Sequence, residues 1–160
     1  MKAGKQKIYW DSCVFIAWLM DERNWPQDIL DGIQDVVYDL ERGKVIMFTS
    51  TLTRTEIFSL TPEQTQKYDA LMQRRNLKEI SPDARVTARS SAIREYYSAG
   101  GMNVRVPDAI HLATAIIYEA DEFHTLDGLQ KKGLIRFNGN CAGFNLKIVC
   151  PYPRNRPPLV

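Results

Sequence analysis

The chain has 160 residues, 44% hydrophobic and 25% charged, the balance of a globular protein rather than a disordered or fibrous one. Its 21 basic and 19 acidic side chains leave a net charge of +2, so bulk charge announces no nucleic-acid partner, and any basic surface must come from uneven placement. Cys13, Cys141 and Cys150 cannot all pair and show no zinc or redox spacing, and no long apolar run follows the basic start, so the expectation is a cytoplasmic protein without a membrane span.

Ile8-Tyr9-Trp10 reads as a short strand delivering Asp11, and Val14, Ile16/Ala17, Leu19 and Met20 read as the helix that follows. Asn24 before Trp25-Pro26 predicts a cap and a first-turn proline. Ile29, Ile33, Val36/Val37 and Leu40 then recur at helical spacing until Gly43. Val45 to Phe48 is a continuous apolar run of strand length, as in a parallel sheet covered on both faces. Ser50 to Leu60 is expected to be helical and to carry Glu56. Pro62 starts a helix through Leu71-Met72, and Leu77 to Ile80 is a short strand. Ser81-Pro82 opens a helix that reaches Tyr97 and stops at Gly100-Gly101.

The stretch from Val106 to Ala115 opens a further helix. Pro107 lacks a backbone donor and suits the first turn, which leaves Asp108 where the helix dipole favours an acid. Ala109, Leu112/Ala113, Ile116 and Ala120 form its buried stripe. Phe123 to Leu126 is a strand delivering Asp127, with a short helix to Lys132 and a last strand from Leu146 to Val149. The Pro-rich tail, 151–160, is expected to be extended or disordered beyond a single domain of residues 1–150. Alternating strands and helices predict an α/β fold, a three-layer α/β/α sandwich with a mainly parallel central sheet. Such sheets bind ligands at the carboxyl ends of their strands.

Asp11 and Asp127 would stand at strand carboxyl ends, with Glu56 and Asp108 in the opening turns of helices leaving the same edge. Each acid has a plain explanation: Asp11, Asp108 and Asp127 as helix caps, Glu56 closing a capping box with Thr53. Together, four carboxylates in one cleft repel one another unless a cation sits among them, and magnesium or manganese suits such an oxygen-rich site. Asp121 precedes its strand and is expected at the opposite rim.

The segments Trp10–Phe15, Ser50–Glu56, Pro107–Ala115 and Thr125–Asp127, in this order, resemble the PIN-domain ribonucleases, including the VapC toxins of toxin–antitoxin modules. That resemblance implies a metal-dependent endoribonuclease acting on RNA, with Asp11, Glu56, Asp108 and Asp127 as its catalytic and Mg2+- or Mn2+-binding acids. Asp11 and Asp108 are the first choices for direct ligands. It implies that Ser12 and Thr125 support the metal shell, and it points to an antitoxin partner and a homodimer. The alternative is a catalytically silent PIN-like scaffold that binds a protein or RNA partner. A haloacid-dehalogenase-like phosphatase needs a second Asp where Cys13 stands, and a receiver-like domain needs a lysine after the last acid, whereas Lys147 falls within the predicted final strand.

Among other residues, His111 lies one turn after Asp108, where a surface position is the ordinary expectation and a proton shuttle or outer-shell donor the functional one. His124 is expected to pack under a helix and Cys13 to be a small core residue. Arg85, Arg89, Arg94, Arg105, Lys131 and Lys132 are candidates for holding phosphates, against the simpler reading of a solvated surface, and Arg154 and Arg156 on the tail for reaching nucleic acid or a partner, against a disordered tail.

Overall fold

In a computed structural model, residues 4–20, 23–128 and 133–154 are described. Strand β1 (Gln6–Trp10) leads into helix α1 (Ser12–Leu19), then come α2 (Gln27–Glu41), β2 (Val45–Ser50), α3 (Leu52–Glu56) and α4 (Pro62–Met72). β3 (Leu77–Ile80), α5 (Ala84–Ala99), α6 (Val106–Ile117), β4 (Glu122–His124), a 3-10 turn at Leu134–Phe137 and β5 (Ile148–Val149) complete the order. All pairings among the five strands are parallel, in the order β3-β2-β1-β4-β5.

One face of the sheet presents Ile8, Trp10 and Met47 to α1, α2 and α4. The other presents Tyr9, Phe48 and Phe123 to α5 and α6. This is the expected three-layer α/β/α sandwich. The period-2 alternation of a strand explains why neighbours Tyr9 and Trp10 enter different cores. Helix α6 lies between the sheet and α5, so its burial is wider than one stripe: Ala109, His111, Leu112, Ala113, Thr114 and Ala115 are all buried.

Several helix boundaries differ from the sequence expectation. Pro26, not Asn24, occupies the cap position of α2, and it makes no side-chain cap. Asp83 rather than Ser81 caps α5, its carboxylate accepting from Val86 N at 3.0 Å. The predicted helix from Ser50 to Leu60 shrinks to the five residues of α3, and Glu56 is its last residue, not part of its opening turn. The chain cannot stay helical there. Ile57 turns extended and is buried in the first core, Ser59 adopts a left-handed conformation at φ 59°, and Thr61 precedes a proline. Thr53 does not form a box with Glu56, since its hydroxyl lies 2.8 Å from that of Thr49. The capping box belongs instead to Thr61 and Gln64. β4 stops at His124 and β5 starts at Ile148, both shorter than expected. The predicted helix ending at Lys132 runs into residues 129–132, outside the described residues.

Residues 151–154 have no regular secondary structure but are tied to the body of the fold. Arg154 donates from its backbone to Asp35 and through Nε to Asp39, each at 2.8 Å, so it is committed within the fold rather than offered to a partner. The Tyr152 hydroxyl donates to Glu122 at 2.8 Å. Burial works against ionisation of Glu122, but hydrogen bonds from His124, Tyr152 and Lys147 prevail and bring its pKa down to about 2. His124 is buried as expected, its Nε2 2.8 Å from Glu122, and burial holds it below the ordinary histidine value.

Gly32 of α2 is where the strap formed by residues 151–154 crosses that helix, because a Cβ there would fall on the backbone of Pro151 and Tyr152. In a free helix, Gly→Ala stabilises by about 1 kcal/mol. Here Gly32→Ala is expected to destabilise, by about 1–3 kcal/mol as for other overpacked sites, measured by chemical denaturation. A stabilising result would mean that the strap is not held against α2.

Candidate active site at the carboxyl edge of the sheet

Asp11 follows the last residue of β1, and its backbone N–H donates to His124 O at 3.1 Å, which ties it to the end of β4. Only 5% exposed, its carboxylate accepts from Ser12 N at 2.8 Å and from the Thr125 hydroxyl at 2.9 Å, with Cys13 Sγ at 3.5 Å. Asp11 is therefore the cap of α1 and also a buried anion held by several donors. The Thr125 hydroxyl in turn accepts from Asp127 N at 3.0 Å, so one side chain links the segments carrying the first and last acids. Cys13 sits in the same corner, accepting from Leu126 N at 3.3 Å, and burial pushes its thiol well above the ordinary value. That environment suits packing and disfavours a nucleophile.

Asp108 lies in the first turn of α6, as its proline predicted, and Arg105 Nε is 3.2 Å from its Oδ2. Arg105 is largely exposed, so the pair adds little to stability. Burial raises the Asp108 pKa, the charge of Asp11 raises it further, and Arg105 opposes both. Asp127 is exposed, and its charge adds a smaller contribution at Asp108 and Arg105, so it lies within electrostatic reach of them. Asp121 is elsewhere: it precedes β4 and accepts from Lys7 N at 2.7 Å, near the amino end of β1, in line with its predicted exclusion.

Glu56 reaches the cleft through His111, whose Nε2 is 2.5 Å from Glu56 Oε1 and 3.7 Å from Asp11 Oδ1. His111 is fully buried, which overturns the expectation of a surface position. α6 is covered on more than one side, and the imidazole occupies a gap between two acids and the Tyr9 hydroxyl. The Tyr9 oxygen is 2.6 Å from Nδ1. Burial works to lower the His111 pKa, but the Glu56 hydrogen bond and the charges of Asp11, Glu56 and Asp108 outweigh it and leave it raised. Tyr9 was not among the candidates, and the only hint in the sequence is that a buried tyrosine hydroxyl needs a partner.

The topology explains why these groups meet. β1 pairs with β2 on one edge and β4 on the other, so the order reverses at β1, the switch point at whose carboxyl ends open α/β sheets bind ligands. Asp11 and Asp127 follow those two strands, while α3 and α6 bring Glu56 and Asp108. Of the basic candidates, Arg105 lies at this rim. Arg94 donates to Val104 O at 2.9 Å, Arg85 reaches the Tyr118 hydroxyl at 3.4 Å, and Arg89 covers the Phe144 ring. Lys131, Lys132 and Arg156 lie outside the described residues. A cavity of about 300 Å³ between α1 and α2 is lined by Trp18, Leu30 and Ile33 and by none of the four acids.

Fold and rim together define an α/β protein with an acidic crevice at the switch point of a parallel sheet. The PIN domain family model matches residues 8–132, and the chain belongs to that family, whose members are generally nucleases. No curated protein matches. Similar solved structures include VapBC2 from Rickettsia felis bound to a promoter DNA fragment, with 13% identity, a TM-score of 0.62 and coverage of 89% of this chain and 98% of that one. A toxin–antitoxin complex from Klebsiella pneumoniae aligns at 23% identity and a TM-score of 0.57 over 91% of this chain and 98% of that one. FitAcB from Neisseria gonorrhoeae aligns at 16% identity and a TM-score of 0.57 over 90% and 97%. At these identities the likeness is one of fold. Among the described residues, no helix is long and apolar enough to cross a membrane.

The raised Asp108 pKa carries a sign. The folded protein holds that proton more tightly than the unfolded chain, so stability falls as pH rises from the ordinary carboxylate value through the raised one. In metal-free protein at pH 7, Asp108→Asn is therefore expected to melt at or slightly above the wild-type temperature. The difference should close as the pH is lowered below that window, which calorimetry across pH would measure.

Proposed function

We propose that this chain is a metal-dependent endoribonuclease that hydrolyses RNA phosphodiester bonds, serving in the cytoplasm as the toxin of a toxin–antitoxin pair. The observation that carries the reading is the set of carboxylates gathered at the β1/β4 switch point, with Asp108 raised by burial and by Asp11.

The donor chemistry fits a hard divalent cation: carboxylate oxygens, flanked by the hydroxyl of Thr125 and the backbone of Ser12. Among the described residues, no group of three or more His, Cys, Asp or Glu side chains is placed to hold a metal ion together. Magnesium and manganese accept one or two carboxylates with water and phosphate oxygens completing the shell, so such a group is not required. Asp11 and Asp108 are the residues that would hold the ion directly. Glu56 and Asp127 would hold its waters or accept a proton from the attacking one. When bound, the ion supplies a water of lowered pKa and offsets charge on the leaving oxygen.

The rest is done by the chain itself. Ser12 N and Thr125 keep Asp11 fixed, His111 holds Glu56, and Arg105 at the rim offers a guanidinium for a substrate phosphate. An open acidic crevice flanked by an exposed arginine suits a polymer entering along the sheet edge. Toxin status draws support from the solved toxin–antitoxin complexes of similar fold, and a homodimer is proposed by analogy alone.

The test uses purified protein free of any bound partner on a panel of single-stranded and structured RNAs. Wild type is expected to cut with magnesium or manganese and to stop with chelator. Asp108→Asn should fold, since Asn suits a helix start about as well as Asp, and lose most activity. Cutting that persists in chelator would overturn the metal mechanism. No cutting across the panel with either ion would favour the scaffold.

A further inference from the structure

Helix α3 is a weak platform for a functional carboxylate. It has five residues, its Thr51 cap makes no side-chain bond, and Thr53 is its one buried residue. Glu56 closes that helix, and 27% of its side chain is exposed. What meets its carboxylate is His111, which is backed in turn by Tyr9. His111 is central in α6 and fully buried, and Tyr9 is the penultimate residue of β1, fully buried and stacked on Phe123 with ring centroids 5.1 Å apart.

We propose that Tyr9 and His111 form a buried tether that fixes Glu56 at the cleft, making both of them positioning residues for the reaction. The proposal rests on the nuclease reading above. With neutral His111 accepting from the Tyr9 hydroxyl at Nδ1, or with the imidazolium donating from both nitrogens, a proton sits on Nε2, the nitrogen that faces Glu56 and lies 3.7 Å from Asp11. A donor placed between two carboxylates both aims Glu56 and lessens its repulsion from Asp11. Ligand carboxylates held by an outer hydrogen-bonding partner commonly lose about 10- to 100-fold in activity or metal affinity when that partner is removed.

The tautomer-sensitive replacements separate positioning from packing. Gln reaches about as far as Nε2 and keeps a donor toward Glu56, whereas Asn reaches about as far as Nδ1 and does not. His111→Asn is expected to lower kcat about 10- to 100-fold with little change in KM, and His111→Gln to recover much of that loss. Tyr9→Phe, which removes one hydroxyl, should lower kcat in the same direction. In a Glu56→Gln background, all three should have little further effect, because the tether acts through Glu56. Equal losses in His111→Asn and His111→Gln at matched melting temperature, or full additivity with Glu56→Gln, would overturn the proposal. If the His111 variants fail to fold, the Tyr9→Phe cycle decides in the same way.

An activity-free readout keeps this distinct from the nuclease reading. Proton NMR of metal-free wild type should show a slowly exchanging, downfield imidazole Nε2–H resonance that shifts in Glu56→Gln and in Tyr9→Phe. Its absence would overturn the tether even in an active enzyme. Its presence in a protein that cuts no RNA would leave the tether standing and sink the nuclease.

Discussion

Strand β1 is hydrogen-bonded in parallel on both edges, to β2 and to β4, and the geometry of the rim follows from that double pairing. A strand in this position must be apolar on both faces, which Ile8, Tyr9 and Trp10 satisfy with complete burial. It must also reverse the direction in which successive strands are added, which leaves a crevice where no crossover covers the carboxyl ends. Asp11 is the first residue past that strand, and its backbone still pairs with β4 through His124 O. The acid is thereby fixed by the sheet itself and not by a loop.

Charge is concentrated here at a cost that the surroundings only partly offset. Asp11 is held by Ser12 N and Thr125, and Glu56 by His111, while Asp108 has an exposed arginine and remains raised by burial and by Asp11. A contrasting acid, Glu122, is about as buried as Asp11 but carries His124, Tyr152 and Lys147 around it, and its pKa falls to about 2. The difference is instructive. Where a carboxylate serves the fold, its donors suffice to hold it ionised; at the rim, the balance is left open to a further positive charge.

The sequence located most of this arrangement. Alternating strand and helix patterns gave the layers, Pro107 fixed the start of α6, and short apolar runs placed Asp11 and Asp127 after strands, although β4 ends three residues before Asp127. Asp121 was separable from Asp127 because strand direction alone puts them at opposite ends. Glu56 was assigned to the right edge for a partly wrong reason: the predicted long helix is a single short turn, broken where Ile57 enters the core and Thr61 precedes a proline.

The tertiary structure alone decided what surrounds the acids. Periodicity reports which face of a helix is apolar, so it read α6 as having one buried stripe and assigned His111 to the surface. Only the packing of α5 and the sheet around that helix buries the imidazole between Glu56, Asp11 and Tyr9. Arg154 shows the same limit, because its carboxylate partners Asp35 and Asp39 lie more than a hundred residues earlier in the chain. Local pattern encodes hydrogen bonding and burial within an element, and it determined the class of fold and the chain positions at which acids follow strands or open helices. The partners of a buried polar group are set by which elements pack together, and that information lies in long-range contacts that a local pattern does not contain.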